Sequence, residues 1–192
     1  VGSNAMLNNI SGDSNVALGL QSLEQNVIGN LNTALGIHAL QYTESDNNVA
    51  IGYNAGVTNV AGTLNTYLGY GADCTNTDSN NSTAIGAGAL ITNSNQIVLG
   101  QTTTPPDVYI PGNVGIGTDT PSEMLEVSGD ALINGLTIGT GKGNFELNTA
   151  LGKDVLNSNT TGTNNTAVGY KTMWSNTLGY NNTAIGYQAL FS

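Results

Sequence analysis

Glycine returns along this chain at a nearly constant spacing, and no other feature narrows the possible folds so far. Taking the glycine of the phrase NNTAIGYQAL, Asn181 to Leu190, as the reference gives Gly19, Gly36, Gly52, Gly69, Gly86 and Gly100, then Gly152, Gly169 and Gly186. The steps are 17, 16, 17, 17 and 14 residues and, after an interruption, 17 and 17. Around each reference glycine the chemistry repeats slot by slot. Immediately before it stands a large aliphatic residue: Leu18, Leu35, Ile51, Leu68, Ile85, Leu151, Val168 or Ile185. Two before it stands Ala, with Tyr67 the exception, and three before it Thr or Val, except that the shortened last unit of the first array, NQIVLG, keeps the Leu-Gly and loses the Ala. Four after it an apolar residue recurs (Leu23, Leu40, Leu90, Leu156, Met173, Leu190), and ten after it a second turn residue (Gly29, Asp46, Gly62, Ser79, Gly162, Gly179).

A period this short, broken twice by turn residues, has no room for a long helix. Short Thr/Val/Ile runs bounded by Gly, Asn and Asp read as strands. Each period is therefore expected to form one coil of a β-solenoid with two short strands and two turns, stacked on its neighbours at about 4.8 Å. Residues one and two before the glycine point to opposite faces of a strand. Both are apolar, and one thin coil can shelter only one of them. Strands apolar on both faces are covered on both faces, so the pattern predicts a homo-oligomer of intertwined or tightly packed chains, with a homotrimer as the expected state.

Composition bears on this because without the periodicity the chain would read as disordered. Only 8% of its residues are charged and 6% aromatic, and 26 are glycine. Stacking offsets the ordering entropy by burying each coil's edge against the next. The net charge is −10; Lys142, Lys153 and Lys171 are the only basic residues apart from His38, and Arg is absent. That balance argues against nucleic acid and anionic membrane surfaces, which require clustered cations. Acidity of this kind keeps a fibrous oligomer dispersed. Cys74, the single cysteine, allows no intrachain disulfide and reads as a small, partly buried side chain. No apolar run reaches membrane-spanning length.

The opening VGSNA, residues 1–5, has the look of a cloning remnant, and the chain stops in mid-unit at Phe191-Ser192, as a fragment of something longer would. A first array is expected over 6–100, a β-rich connector over 101–143, and a second array over 144–192. The connector, from Thr102 to Gly143, holds all four prolines, residues suited to edges and corners. Its apolar runs are Val108 to Ile110, Val114 to Ile116, Met124 to Val127, Ala131 to Ile133 and Leu136 to Ile138, with Asn134-Gly135 a two-residue hairpin signal between the last two.

The NTAIGYQAL units resemble the head repeats of trimeric autotransporter adhesins, the YadA-like left-handed parallel β-roll, with a longer period. The connector phrase GNVGIGTDTPSEMLEVSGD, Asn113 to Asp130, is similar to a phrase of bacteriophage tail fibres that end in an endosialidase-type intramolecular chaperone. Together these cover nearly the whole chain after Leu7. The resemblance implies an all-β fold of left-handed β-roll repeats, a parallel homotrimer, a structural place in a tail fibre on the virion, and a bacterial surface polysaccharide or receptor as partner. The rival readings are the head of a bacterial trimeric adhesin on the cell surface and the non-catalytic part of a polysaccharide-degrading tail spike. An ice-binding solenoid is remote, because each coil shows one regular Thr and not a paired ladder.

Little in the sequence suggests catalysis, and no cofactor or metal is expected. His38 is the only histidine, so acyl transfer lacks its usual partners; three copies meeting on a trimer axis would bind metal, but a hydrogen-bonded position in the stack is the plainer reading. The close carboxylate pairs are Glu44 with Asp46, Asp73 with Asp78, and Glu123 with Glu126. The first two are read as lying in inter-strand turns, where Asp is ordinary, and no loop matches a calcium pattern. The third flanks Met124-Leu125 in the connector, and none of the three pairs is read as having nearby aromatics or Arg to grip a sugar for glycoside cleavage. GNVGIGT, Gly112 to Thr118, lacks the Lys and following helix of a phosphate loop. The strongest candidates for a surface role are Tyr53, Tyr70, Tyr170 and Tyr187, which recur just after the reference glycine. Stacking would align them into an aromatic stripe able to hold sugar rings or a partner's apolar surface.

Overall fold

The computed structural model describes residues 1–101, 103–143, 145 and 147–191. Thr102, where the connector was expected to open, Asn144, the expected start of the second array, and Ser192 lie outside the described residues. The chain divides into two compact units, Val1–Val108 and Tyr109–Ser192. Among the described residues there is no helix, and none therefore is long and apolar enough to cross a membrane.

In the first unit the three residues before each reference glycine form a strand: β1 Val16–Leu18, β2 Thr33–Leu35, β3 Val49–Ile51 and β4 Thr66–Leu68. Then come β5 Asp73–Cys74, β6 Thr83–Ile85, β7 Leu90–Ile91 and β8 Ile97–Leu99. Strands β1, β2, β3, β4, β6 and β8 pair in that order into one parallel sheet. The register sets like on like: Ala17 beside Ala34, Ala34 beside Ala50, Leu35 beside Ile51. This is the parallel β-solenoid that the glycine spacing predicts.

The alternation of faces follows the expected division. Ala34, Ala50, Tyr67 and Ala84 point inward and are fully buried, while Leu18, Ile51, Leu68 and Ile85 point outward and stay exposed. The reference glycines turn the corner next to them. A methyl on Gly52, whose φ is 135°, would collide with the carbonyl of Gly69 in the adjacent coil. Close stacking of backbone on backbone, as well as the φ value, therefore excludes any other residue there.

Three expectations need correction. First, the second limb of most coils is not a strand. In the coils of Gly19, Gly36, Gly152, Gly169 and Gly186 the second and fourth residues after the glycine are left-handed, as at Gln21 (φ 54°) and Leu23 (φ 49°) or His38 (φ 59°) and Leu40 (φ 48°). The limb still bonds to its neighbour, with Leu23 N–H donating to Ala39 O at 3.1 Å and Gln25 N–H to Gln41 O at 2.9 Å. Each left-handed leucine costs about 1–2 kcal/mol, which full burial of Leu23 and Leu40 offsets. Among the described residues only β5 and β7 keep the limb extended, pairing in parallel with each other. There the inward residue moves one place along: Cys74 and Ile91 are buried, whereas Asp73 and Leu90 are only half-buried. Leu90 thus does not fill the core slot assigned to it, and Asp73 lies in a strand instead of a turn.

Second, Ser45 and not Asp46 occupies the second turn slot of its coil. The Ser45 carbonyl accepts from Asn32 Nδ2 at 2.6 Å, as the Gly29 carbonyl accepts from Asn15 Nδ2 at 2.8 Å. The missing residue of the 16-residue period is taken out of the outer corner just before it. Third, Val1–Ala5, set aside as a remnant, lies in register with the array. Gly2 (φ 142°) stacks on Gly19, Gly19 N–H donates to Val1 O at 2.8 Å, and Gln21 N–H donates to Ser3 O at 2.9 Å.

The asparagines are the largest surprise in packing. Asn32, Asn48, Asn59, Asn65, Asn159 and Asn165 lie inside the coils at 1% exposure or less. Four residues before each reference glycine, one side chain bonds to the next coil's backbone. Asn32 Oδ1 accepts from Asn48 N–H at 2.9 Å, Asn48 Oδ1 from Asn65 N–H at 3.0 Å, and Asn65 Oδ1 from Ser82 N–H at 3.0 Å. The amide end of each donates across the coil to a turn carbonyl, as Asn48 Nδ2 does to Gly62 O at 2.8 Å.

In the second unit β9 Val114–Ile116 and β10 Leu125–Val127 pair in parallel. Then β11 Ala131–Ile133 and β12 Leu136–Gly139 form an antiparallel hairpin. Its turn is Asn134 (φ 49°) and Gly135 (φ 80°), as the Asn-Gly pair predicts. Val108 to Ile110, expected as a further extended run, forms no strand. Strand β12 then lies antiparallel against β13 Thr149–Gly152, which continues in parallel to β14 Thr166–Val168 and β15 Thr183–Ile185. The hairpin thereby closes the edge that the first coil of the second array would otherwise leave unpaired. Ala150, Val155, Leu156, Ala167, Met173 and Ala184 make its core.

Candidate functional site

The slot following each reference glycine lies outside the corner, and within each array its tyrosines stack. Tyr53 and Tyr70 have centroids 5.3 Å apart and planes inclined at 12°; Tyr170 and Tyr187 lie 5.5 Å apart at 27°. Tyr70 and Tyr187 are 68% and 72% exposed. The expected stripes exist as two short stacks, one in each unit. Stacking has a chemical consequence, since rings lying face to face show solvent chiefly their edges and hydroxyls. A sugar ring docks on a free aromatic face, and in the first unit the free face is that of Tyr70, which has Ala87 in the same slot of the next coil.

His38 lies at the other end of that stack, its ring 5.9 Å from Tyr53 and tilted by 50°. Its Nδ1 is 3.1 Å from Asn54 Oδ1 and its Nε2 is 3.0 Å from Gln21 Oε1. Gln21, His38 and Asn54 are equivalent residues of successive coils, so both ring nitrogens serve a polar ladder and metal binding would have to break it. Among the described residues no group of three or more His, Cys, Asp or Glu is placed to hold a metal ion.

The carboxylates have structural partners. Asp73 Oδ1 accepts from Thr58 N–H at 3.0 Å and its Oδ2 from Thr58 Oγ1 at 2.7 Å. Burial raises its pKa above the usual carboxylate value, opposed by those bonds. Glu24 accepts from Gln21 Nε2 at 2.8 Å and Gln41 Nε2 at 2.7 Å, bonds that hold its carboxyl below the usual range. Glu126 accepts from the Ser122 backbone and hydroxyl at 2.7 and 3.0 Å and is likewise held low. Burial pushes the Cys74 thiol up to about 11, which leaves it unreactive at neutral pH.

Two features escaped the sequence reading. Trp174 and Phe191 form another stacked pair, 5.4 Å apart at 15°, and Lys171 Nζ lies 5.3 Å from the Tyr170 centroid and 5.9 Å from that of Trp174. One coil earlier, a cleft of about 380 Å³, lined by Asp130, Thr137, Lys142, Lys153 and Asn157 among others, lies between the β11–β12 hairpin and the first coil of the second array. The period carried a signal for the first, because Trp174 and Phe191 stand one repeat apart. Nothing in the spacing foretold the cleft, which depends on how the hairpin folds back. Compared with protein-family models, with curated proteins and with solved structures, the chain matches none.

Proposed function

We propose that this chain is a non-enzymatic structural segment of a trimeric bacteriophage tail fibre, its coils left-handed, which holds a receptor-binding element at a distance and contributes to recognition of the host. The observation that supports the reading is the outward column of Leu18, Leu35, Ile51, Leu68, Ile85 and Leu99. Ile51 and Leu68 are 41% and 42% exposed, and half-buried Thr33, Val49, Thr66 and Thr83 flank the column. An all-parallel sheet is ordinarily covered on both faces, and a continuous apolar surface on one of them marks an interface. A second and third copy of the same sheet is the simplest cover, because the column is repetitive and free of charge. Threefold closure would leave none of the three columns wet.

Light scattering on the purified chain tests this. The expected mass is three times 19.6 kDa, and a mass of one chain overturns the reading. Replacing Ile51 and Leu68 together by Asp is expected to shift the protein toward single chains, since it puts charges in the middle of the buried face.

A further inference from the structure

All three lysines of this acidic chain gather in the second unit. Lys142 and Lys153 line the cleft between the hairpin and the first coil. Lys171 stands one coil further, its N–H donating to Lys153 O at 2.9 Å. Against them the cleft sets two carboxylates, Asp130 and Asp154. Asp130 is occupied in the fold: Oδ1 accepts from Thr140 N–H and Thr140 Oγ1, and Oδ2 accepts from Gly141 N–H at 2.9 Å. A chain with net charge −10 thus concentrates its positive charge on one small region.

Aromatic rings border that region. Tyr170 and Trp174 are stacked on one side by Tyr187 and Phe191. In the preceding coil the equivalent residues are Lys153 and Asn157, so no ring stacks on their other faces, and the Lys171 ammonium lies by both rings. Both belong to the second limb or the corner leading into it, past the outward Leu/Ile column. From this we infer that the surface formed by Lys153, Asn157, Tyr170, Lys171 and Trp174, with Lys142 across the cleft, binds an acidic saccharide, a pyranose carrying a carboxylate. The ring's C–H face would lie on an aromatic face, the carboxylate between ammonium groups, and the hydroxyls against the amide of Asn157 and the hydroxyl of Thr137. Three cations are too few for the charge density of a nucleic acid in so acidic a chain, and a bare phosphate would make no use of the rings. This inference rests on the host-recognition half of the function proposed above and is independent of self-association.

Trp174 is the chain's only tryptophan, so its fluorescence reports on the site directly. The intact chain is titrated with short oligogalacturonates and oligomannuronates, and in parallel with a neutral maltooligosaccharide and with sodium sulfate at matched ionic strength. The expected result is a saturable change with an acidic oligosaccharide alone, weakened about tenfold by Lys171→Gln and by Lys153→Gln. Lys153 is exposed and Lys171 half-buried, and unchanged circular dichroism confirms that the variants fold. No saturable change with either acidic sugar, an equal response to the neutral sugar or to sulfate, or unaltered affinity in both variants overturns the proposal. Light scattering on the same samples separates the two ideas, because binding by single chains would sink the trimer and leave this site standing.

Discussion

Asn48 shows how much of the stability rests on single polar side chains. It is fully buried, accepts from Asn65 N–H, and donates through Nδ2 to Gly62 O at 2.8 Å and Asp46 O at 3.1 Å. Asn48→Ala strands those backbone groups without water, so a loss of about 3 kcal/mol is expected in denaturant unfolding. Asn93, exposed and outside the left-handed region, is expected to tolerate the same change. Glu24 makes a prediction in pH. Its folded carboxyl is held below its ordinary value of 4.5 by Gln21 and Gln41, so the folded state binds fewer protons than the unfolded one. Its contribution is fully present above 4.5 and is lost as pH falls through the lowered folded value. Glu24→Gln is expected to flatten that part of the thermal-midpoint profile, and an unchanged acid slope would refute the assignment. The sequence shows where asparagines recur but not that they are internal, because Asn in a turn-rich chain reads first as a surface turn residue. What decides the matter is the coil's interior, which must satisfy its own corner backbone groups and has no water to do so.

At the scale of the element, one coil breaks the rule and its neighbour compensates. Tyr67 stands, fully buried, in the slot that most coils fill with Ala, and Gly56 stands where most coils have Leu. A Cβ on Gly56 would lie 2.7 Å from Tyr67 Cδ2 and 2.8 Å from Leu40 Cδ2, so the ring fills the space that a leucine vacates. Tyr67→Ala is expected to open a cavity costing about 3–5 kcal/mol. Gly56→Leu is expected to overpack the core by about 1–3 kcal/mol. The double variant, which restores the usual pair, should be far less destabilised than the sum, and additive losses in a double-mutant cycle would show that the two do not share a space. The first strand of each coil was legible because its alternation places Ala in and Leu or Ile out. The second limb was not, because left-handed residues at Leu23, Leu40 and Met173 run against single-residue preference. Only packing between coils selects them.

The whole molecule combines a repeated register with a cleft that the repeat does not specify. The like-on-like register of each array was implicit in the 17-residue step; even Gly2, one step before Gly19, obeys it. The acidic-saccharide surface was not implicit, because Lys142 and Lys153 come together only when the hairpin folds back against β13. The coil between Gly36 and Gly52 runs one residue short. Its deletion is absorbed at the corner before Ser45, with the strand register Leu35 to Ile51 undisturbed, and the 14-residue step before Gly100 likewise keeps Ile85 beside Leu99. That corner is therefore a natural splice point, where a foreign peptide could be grafted for display and the coils on either side would continue as though nothing had been added.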